Sequence, residues 1–333
     1  MRPITFFSFL LIGCAGTHGN VMSEATNVPA VTEAYPTKPV RLIEPFGVGG
    51  GPDLLARALA QQLSELWGQP VTVENIPGAG ATAGPAQVAK SPPDGYTLLV
   101  NTSAHAYSAT FSKDLPYNPL KDFIPIAALT SQPYVLITGK ATGITTVGDL
   151  IAAAKSKPGQ LKFGSRGIGT GTHLGAEKFN LAAGIKTVHV PAGRNDAIAD
   201  VVARTIAGDT TYMFAPVELT LPHIREGRLR ALGVSSARRS SLLPDVPTIA
   251  EAGVGGFNFP IWYGIWAPAG TPPEVLDKLA KDIARVLADQ NLRDWIAKHG
   301  GEPMNMTRAE FARFVLSESE SAAQIIKAAD IKP

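Results

Sequence analysis

The sequence predicts an α/β protein of two domains, each a sheet flanked by helices, with a ligand cleft between them. Three observations lead there. Short apolar strands alternate with helical stripes, the pattern of parallel strands joined by crossover helices. A glycine-rich strand-to-helix elbow occurs twice, at Pro45-Phe46-Gly47-Val48-Gly49-Gly50-Gly51-Pro52-Asp53 and at Gly164-Ser165-Arg166-Gly167-Ile168-Gly169-Thr170-Gly171-Thr172-His173. The 333 residues also exceed what one core usually fills.

Val40 to Pro45 reads as the first strand, and Leu55, Leu59, Leu63, Leu66 and Trp67 form a helical stripe that stops at Gly68. Val71 to Glu74 is the second strand, followed by the turn-rich loop Asn75 to Gly80 and a helix to about Ala89; Tyr96 to Asn101 is the third. Right-handed crossovers would place all three strands in one parallel sheet, with their following loops on a common rim. The β-rich run Phe123 to Thr138, interrupted at Pro133, is expected to cross into the second domain. There a second set follows: a helix Val147 to Ser156, a strand Leu161 to Phe163, the second elbow with a helix to Ala182, a strand Thr187 to Val190, a helix Ala197 to Ala207 and a strand Thr211 to Phe214. Leu229 to Val234 is expected to cross back. Trp262 to Trp266 reads as a buried strand, and helices at Pro272 to Asp289, Leu292 to His299 and Arg308 to about Ala329 are assigned to the first domain. The expected division is a leader and tether at 1–34, a first domain of 35–130 with 230–333, and a second of 131–229.

Composition narrows the function classes. With 45% hydrophobic and 17% charged residues the body is that of a water-soluble globular protein. A net charge of +2 and no basic run beyond Arg238-Arg239 leave no footprint for nucleic acid. The six histidines are isolated, without metal-ligand spacing, so neither a metal nor a cofactor is expected. The one cysteine, Cys14, ends an apolar stretch of roughly ten residues behind Arg2, the length of a signal-peptide core and too short to span a bilayer. Leu11-Ile12-Gly13-Cys14 resembles a lipobox, with Cys14 lipidated; the alternative is an ordinary signal peptide cleaved after Ala30 or Ala34. Either way the chain is expected to be exported.

An elbow of this kind turns bare backbone N–H groups toward whatever lies before the helix, holding an anion without a charged side chain. Pro52 and Thr172 stand where a dinucleotide fingerprint has its third glycine, which argues against a nicotinamide or flavin enzyme even though Glu74 could pass for a ribose-binding acid. Ser165 lacks the spacing of a nucleophile elbow. Asp53 lies in the first turn of its helix, where the dipole favours an acid; it holds the loop, meets a ligand ammonium, or merely starts the helix. His173 is either a polar partner of its loop or a ligand contact. Arg166 either reaches the ligand or points to solvent.

The run Tyr35 to Ile43, both elbows, Val73-Glu74-Asn75 with Pro77-Gly78-Ala79-Gly80, Pro93-Asp94-Gly95-Tyr96-Thr97-Leu98-Leu99, and Leu243 to Thr248 with Glu251-Ala252-Gly253 resemble the Bug proteins. These are periplasmic substrate-binding components of tripartite tricarboxylate transporters. The resemblance implies a two-domain periplasmic binding protein, type II-like and monomeric, that closes by hinge motion on a small carboxylate: a di- or tricarboxylate, an acidic amino acid or a related organic acid. It would deliver that ligand to integral-membrane transporter subunits or serve sensing. The ligand-facing positions it implies are Phe46, Gly49, Gly50 and Asp53 on one jaw and Ser165, Arg166, Gly167, Gly169, Thr170 and His173 on the other, with Thr102, Ser103 and Ala215 beside them. Ala215 follows Met213-Phe214 where the family often has an acid, Ala192-Gly193-Arg194 replaces a common Tyr-Lys/Arg-Gly, and Arg166 replaces a small neutral residue. The competing reading is an exported enzyme acting on a carboxylate or nucleotide.

Overall fold

The computed structural model describes residues 35–78, 81–111, 115–193 and 197–332. Cys14 and the rest of the leader, Ala79-Gly80 of the loop after the second strand, and Arg194 lie outside the described residues.

The first half opens with strand β1 (Val40–Glu44), helix α1 (Gly51–Trp67), β2 (Val71–Asn75), α2 (Ala83–Ala89), β3 (Thr97–Thr102), α3 (Ala104–Phe111) and β4 (Phe123–Gln132). Pro133 alone separates β4 from β5 (Tyr134–Gly139), after which come α4 (Val147–Ser156), β6 (Lys162–Ser165), α5 (Gly171–Ala183), β7 (Val188–Pro191), α6 (Ile198–Ala207), β8 (Tyr212–Pro216), α7 (Val217–Arg225) and β9 (Leu229–Val234). The chain then returns through β10 (Ile261–Pro268), α8 (Pro273–Leu287), α9 (Gln290–Lys298), β11 (Glu302–Pro303) and α10 (Arg308–Ala328).

Two sheets result, ordered β11-β4-β10-β3-β1-β2 and β7-β6-β8-β5-β9. Each holds three parallel strands, β2-β1-β3 in one and β7-β6-β8 in the other. Beside them lies an antiparallel strand that has entered from the opposite sheet: β10 against β3, and β5 against β8. The sheets are therefore mixed, where the βα spacing predicted parallel ones. The reason is the direction of entry, since a strand arriving from the opposite sheet at the rim where the parallel strands end must run antiparallel to them. Leu229–Val234, expected to be the return crossing, is instead the edge strand β9, paired with β5. The chain passes back through residues 235–260, where the Ser235 hydroxyl accepts from Tyr134 N at 2.9 Å and donates to Phe259 O at 2.7 Å, tying the two passages together.

Packing follows the apolar pattern. Leu55, Leu59 and Leu63 are buried on α1, while Leu66 and Trp67 are half-buried, and Trp67 Nε1 donates to Asp282 Oδ2 on α8 at 2.6 Å. Strand β10 is buried along its whole length, with Trp262 and Trp266 packed on Phe311 of α10. Fully burying one large apolar side chain contributes about 1.5–3 kcal/mol, so these tryptophans anchor α10 to the first sheet. The pairing also builds the rims. Glu44, Asn75, Thr102 and Gln132 close the C-terminal ends of β1 to β4, while Ser165, Pro191 and Pro216 close those of β6, β7 and β8. Because Gln132 is followed at once by Pro133 and Tyr134, the two rims meet without an intervening loop.

Candidate functional site

The elbows align residue for residue and share their turn from the third residue on, whereas at the first position Gly167 takes a φ of 141° and Gly47 no positive φ. Gly47-Val48-Gly49-Gly50-Gly51-Pro52-Asp53 corresponds to Gly167-Ile168-Gly169-Thr170-Gly171-Thr172-His173. Gly49 and Gly169 take the left-handed conformation at φ 85° and 80°, which glycine adopts without strain. Gly50 and Thr170 cap their helices with φ/ψ of −75°/163° and −71°/159°. In both, the seventh residue reaches back: Asp53 Oδ2 accepts from Gly49 N at 2.8 Å, and His173 Nδ1 accepts from Gly169 N at 3.1 Å.

Around the first elbow the chemistry is ionic. Asp53 is 1% exposed, and its oxygens also accept from Arg57 Nε at 3.1 Å and Asn75 Nδ2 at 2.9 Å. Burial pushes its carboxyl upward, but the bonds from Arg57, Gly49 and Asn75 outweigh that and hold it below the ordinary range. Of the three roles left open by sequence, this geometry fits holding the loop. Below it, Glu44 is fully buried; its Oε2 accepts from Phe46 N at 3.0 Å and Asn75 Nδ2 at 2.8 Å, while Oε1 has no partner among the described residues. Burial drives the Glu44 carboxyl up to about 7.

The second elbow is neutral. His173, 2% exposed, stacks on His189 with ring centroids 3.8 Å apart, and His189 stacks on Phe163 at 4.9 Å. Desolvation, aided by the neighbouring His189, pushes His173 down to about 3; desolvation pushes His189 down to about 4. Ser165 is fully buried, its Oγ 2.6 Å from His189 Nε2 and accepting from Gly167 N at 3.0 Å. The serine thus has a histidine in reach, but it is committed to the loop's shape. Thr170 Oγ1 donates to Gly167 O at 2.8 Å, and Thr172 Oγ1 accepts from Arg166 N at 2.9 Å, while the Arg166 residue is exposed.

These bonds revise the donor inventory. The N–H groups of Phe46, Gly49, Gly167 and Gly169 serve the loops themselves, which leaves the first-turn N–H groups of Gly51, Gly171 and Thr172 facing forward, as helix geometry requires. Gly51 and Gly171 were not among the residues singled out in sequence, yet each meets a tyrosine hydroxyl. A Cβ on Gly171 would collide with Tyr134, and one on Gly51 would lie 3.0 Å from Tyr263 Oη and 2.8 Å from Glu218 Oε1.

Glu218, in the first turn of α7, reaches over from the second sheet. Gln132 Nε2 donates to Tyr263 Oη at 2.7 Å and lies 3.1 Å from Glu218 Oε1. Burial raises the Glu218 carboxyl, and Tyr134 and Tyr263 both lie within electrostatic reach of it. Tyr134, Glu218 and Tyr263 therefore stand between the two helix N-termini. A pocket of about 490 Å³, counting its open mouth, is lined by Gly49, Gly51, Gln132, Glu218, Tyr263 and His299, with Leu54, Leu219 and Trp295 on its apolar wall.

The remaining positions separate. Phe46 and Gly50 are half-buried on the first elbow. Thr102 pairs with Tyr263 across β3 and β10, and with Ser103 it is buried at the start of α3, where Thr102 Oγ1 accepts from Ala104 N at 3.2 Å. Ala215 is not brought to the elbows as a side chain; it packs in an apolar cluster with Val135, Met213 and Val201. Glu74 is held by Arg41 through two bonds of 2.7 Å, which occupies the acid that could have passed for a ribose ligand. Among the described residues no group of three or more acidic, histidine or cysteine side chains could hold a metal ion.

Two mixed sheets of like topology, meeting at a rim where matched elbows face a cleft, define a periplasmic binding protein fold. The chain belongs to the tripartite tricarboxylate transporter family receptors, whose family model matches residues 55–331. It is 34% identical over 302 residues to protein BugT of Bordetella pertussis, covering 90% of this chain and 91% of that one. The R. palustris protein Rpa4515 with adipate is similar in structure, with a TM-score of 0.81 and 32% identity over 90% of this chain and 99% of that chain. MatC of Rhodopseudomonas palustris with bound malate matches with a TM-score of 0.76 and 29% identity, over 88% and 100% of the two chains. Family and structural neighbours are solute-binding receptors, and no helix among the described residues is long and apolar enough to cross a membrane.

Proposed function

We propose that this protein is an extracytoplasmic solute receptor that closes its two elbows on a small carboxylate. The observation that carries this reading is the matched pair of helix N-termini on two rims joined by the crossing Gln132-Pro133-Tyr134. Adipate and malate in the similar structures support the ligand class. The forward-facing N–H groups of Gly51, Gly171 and Thr172, with the Arg166 side chain and ordered water, would grip the ligand, while the Thr170 hydroxyl holds the loop through Gly167 O. Asp53, Ser165 and His173 would act by holding loop shape. A micromolar dissociation constant corresponds to about 8 kcal/mol; at roughly 1.5–3 kcal/mol for each charge-assisted hydrogen bond, four or five across two jaws supply it after ordering losses. The leader at 1–34 would export the chain to the periplasm, with Cys14 as the lipidated anchor, and integral-membrane subunits of a tripartite transporter would receive the ligand.

Calorimetric titration of protein freed of co-purified ligand, against mono-, di- and tricarboxylates and amino acids, tests the reading. Saturable binding of at least one carboxylate, recovered chemically unchanged, is expected. Silence across the set, or recovery of a converted product, contradicts it.

A further inference from the structure

The elbows share a turn and a helix start but not an electrostatic environment. Facing the first are the carboxylates of Glu44, Asp53 and Glu218, with Arg57 the neighbouring cation and His299 on the pocket wall. Arg57 is already paired with Asp53 at 2.9 Å, Asp53 is saturated, and the buried Oε1 of Glu44 has no partner among the described residues. Among the described residues only Glu218 brings its acid to this helix N-terminus from the opposite sheet, to 2.8 Å from the position of a Cβ on Gly51. Facing the second elbow are the uncharged rings of His173 and His189, with Glu177 3.9 Å from His173 Nε2, and the exposed cationic residue Arg166 on the loop itself.

An anionic group placed before α1 would meet Glu218 at near contact in a partly desolvated pocket that already disfavours one negative charge, so it would be repelled by the ionised Glu218 or would force it to take up a proton. A hydrogen-bond donor placed there would find an acceptor in Glu218, with Gln132 and Tyr263 beside it. Before α5 no carboxylate among the described residues opposes the ligand at such range, and Arg166 favours an anion. Resting on the receptor reading, we propose that Glu218 is a specificity-determining residue that orients the ligand. Its carboxylate goes to the second elbow, and a donor-bearing end (ammonium, primary amide or hydroxyl) goes to the first. The preferred ligand is thus a monocarboxylate with a donor at its far end rather than a plain dicarboxylate.

The test is calorimetry on the full chain with two length-matched series: succinate, succinamate and β-alanine; glutarate, glutaramate and 4-aminobutyrate. In at least one series the wild type is expected to bind the amide or amino acid at least tenfold more tightly than the dicarboxylate. Glu218→Gln and Glu218→Ala are expected to shift that ratio at least tenfold toward the dicarboxylate, mainly by tightening it, with circular-dichroism melts confirming that each variant folds. If neither variant folds, the wild-type ratio alone decides. Tighter binding of the dicarboxylates by the wild type, or a ratio unchanged within twofold in a folded variant, overturns the inference while leaving the receptor reading standing. Failure of all six compounds to bind would overturn the inference, whereas the receptor reading falls only if the wider carboxylate set is silent as well.

Discussion

The two elbows share their turn and helix start, yet one is pinned by an ion and the other by a stack of neutral rings. Asp53 ties Gly49, Arg57 and Asn75 together, whereas His173 takes a single N–H from Gly169 and rests on His189. The backbone geometry is therefore independent of the charge that supports it. Once a seventh residue supplies a lone pair to the third, the surroundings are free to differ, and in the proposed receptor that freedom would let one cleft present two unlike ends to a ligand.

The sharpest way to break this comparison is to remove each support. Asp53→Ala deletes a buried acceptor of charge-assisted bonds and strands Arg57 and Asn75, for an expected loss of about 3 kcal/mol. His173→Ala removes one neutral bond and a ring contact, for about 1–2 kcal/mol. Urea denaturation of both variants measures the difference, and equal losses would mean that the ionic character of the first elbow does not matter to its stability.

Space at the helix starts gives a second contrast. Gly171→Ala pushes a methyl into the stiff, buried ring of Tyr134, with an expected cost of about 1–3 kcal/mol, partly relieved in a Tyr134→Phe background. Gly51→Ala should cost less, because the nearest atom is the end of the Glu218 side chain, which can swing aside. A larger loss at Gly51 would show that Glu218 is fixed in place.

The elbows should also respond to pH with opposite sign. The Glu44 carboxyl is raised to about 7 from an ordinary 4.5, so its stabilising contribution is complete below the ordinary value and disappears as pH rises through 7. His173 and His189 are lowered to about 3 and 4 from 6.5, so their contribution is complete above 6.5 and is lost as pH falls from there toward 4. Thermal melts from pH 4.5 to 8.5, on the order of these windows, should show Glu44→Gln removing a fall in stability, and His189→Gln a rise, as pH climbs to about 7. The reverse assignment would contradict the burial that causes both shifts. The smallest effect is expected at exposed Arg166, where Arg166→Ala should weaken a carboxylate by about a few-fold in calorimetry; an unchanged affinity would place the guanidinium away from the ligand.

Much of the fold was readable because it is written locally. The stripe Leu55-Leu59-Leu63, the proline between two β-rich runs, and the doubled elbow each declare an element within a few residues. What escaped depends on distant parts of the chain. The direction of β10 follows from where the chain re-enters, and helix α7 hides behind Pro222, whose missing N–H and ring argue locally against a helix. The loop residues of the site were legible; the groups facing them were not. Gln132 meets Glu218 and Tyr263 across 86 and 131 residues of sequence, and no local pattern announces such a meeting. The one available signal was position, since Gln132 and Tyr134 flank the crossing proline.

The central claim is that the elbows move toward one another around an organic acid. Their tips, Val48 and Ile168, are 77% and 50% exposed and occupy equivalent positions, so spin labels on V48C and I168C in a Cys14→Ser background report their separation by pulsed electron resonance. Saturation with a carboxylate shown to bind by calorimetry should shorten and narrow the distance distribution, while the matching uncharged alcohol leaves it as in the free protein. An unchanged distribution at saturation would contradict closure of the two elbows on the ligand.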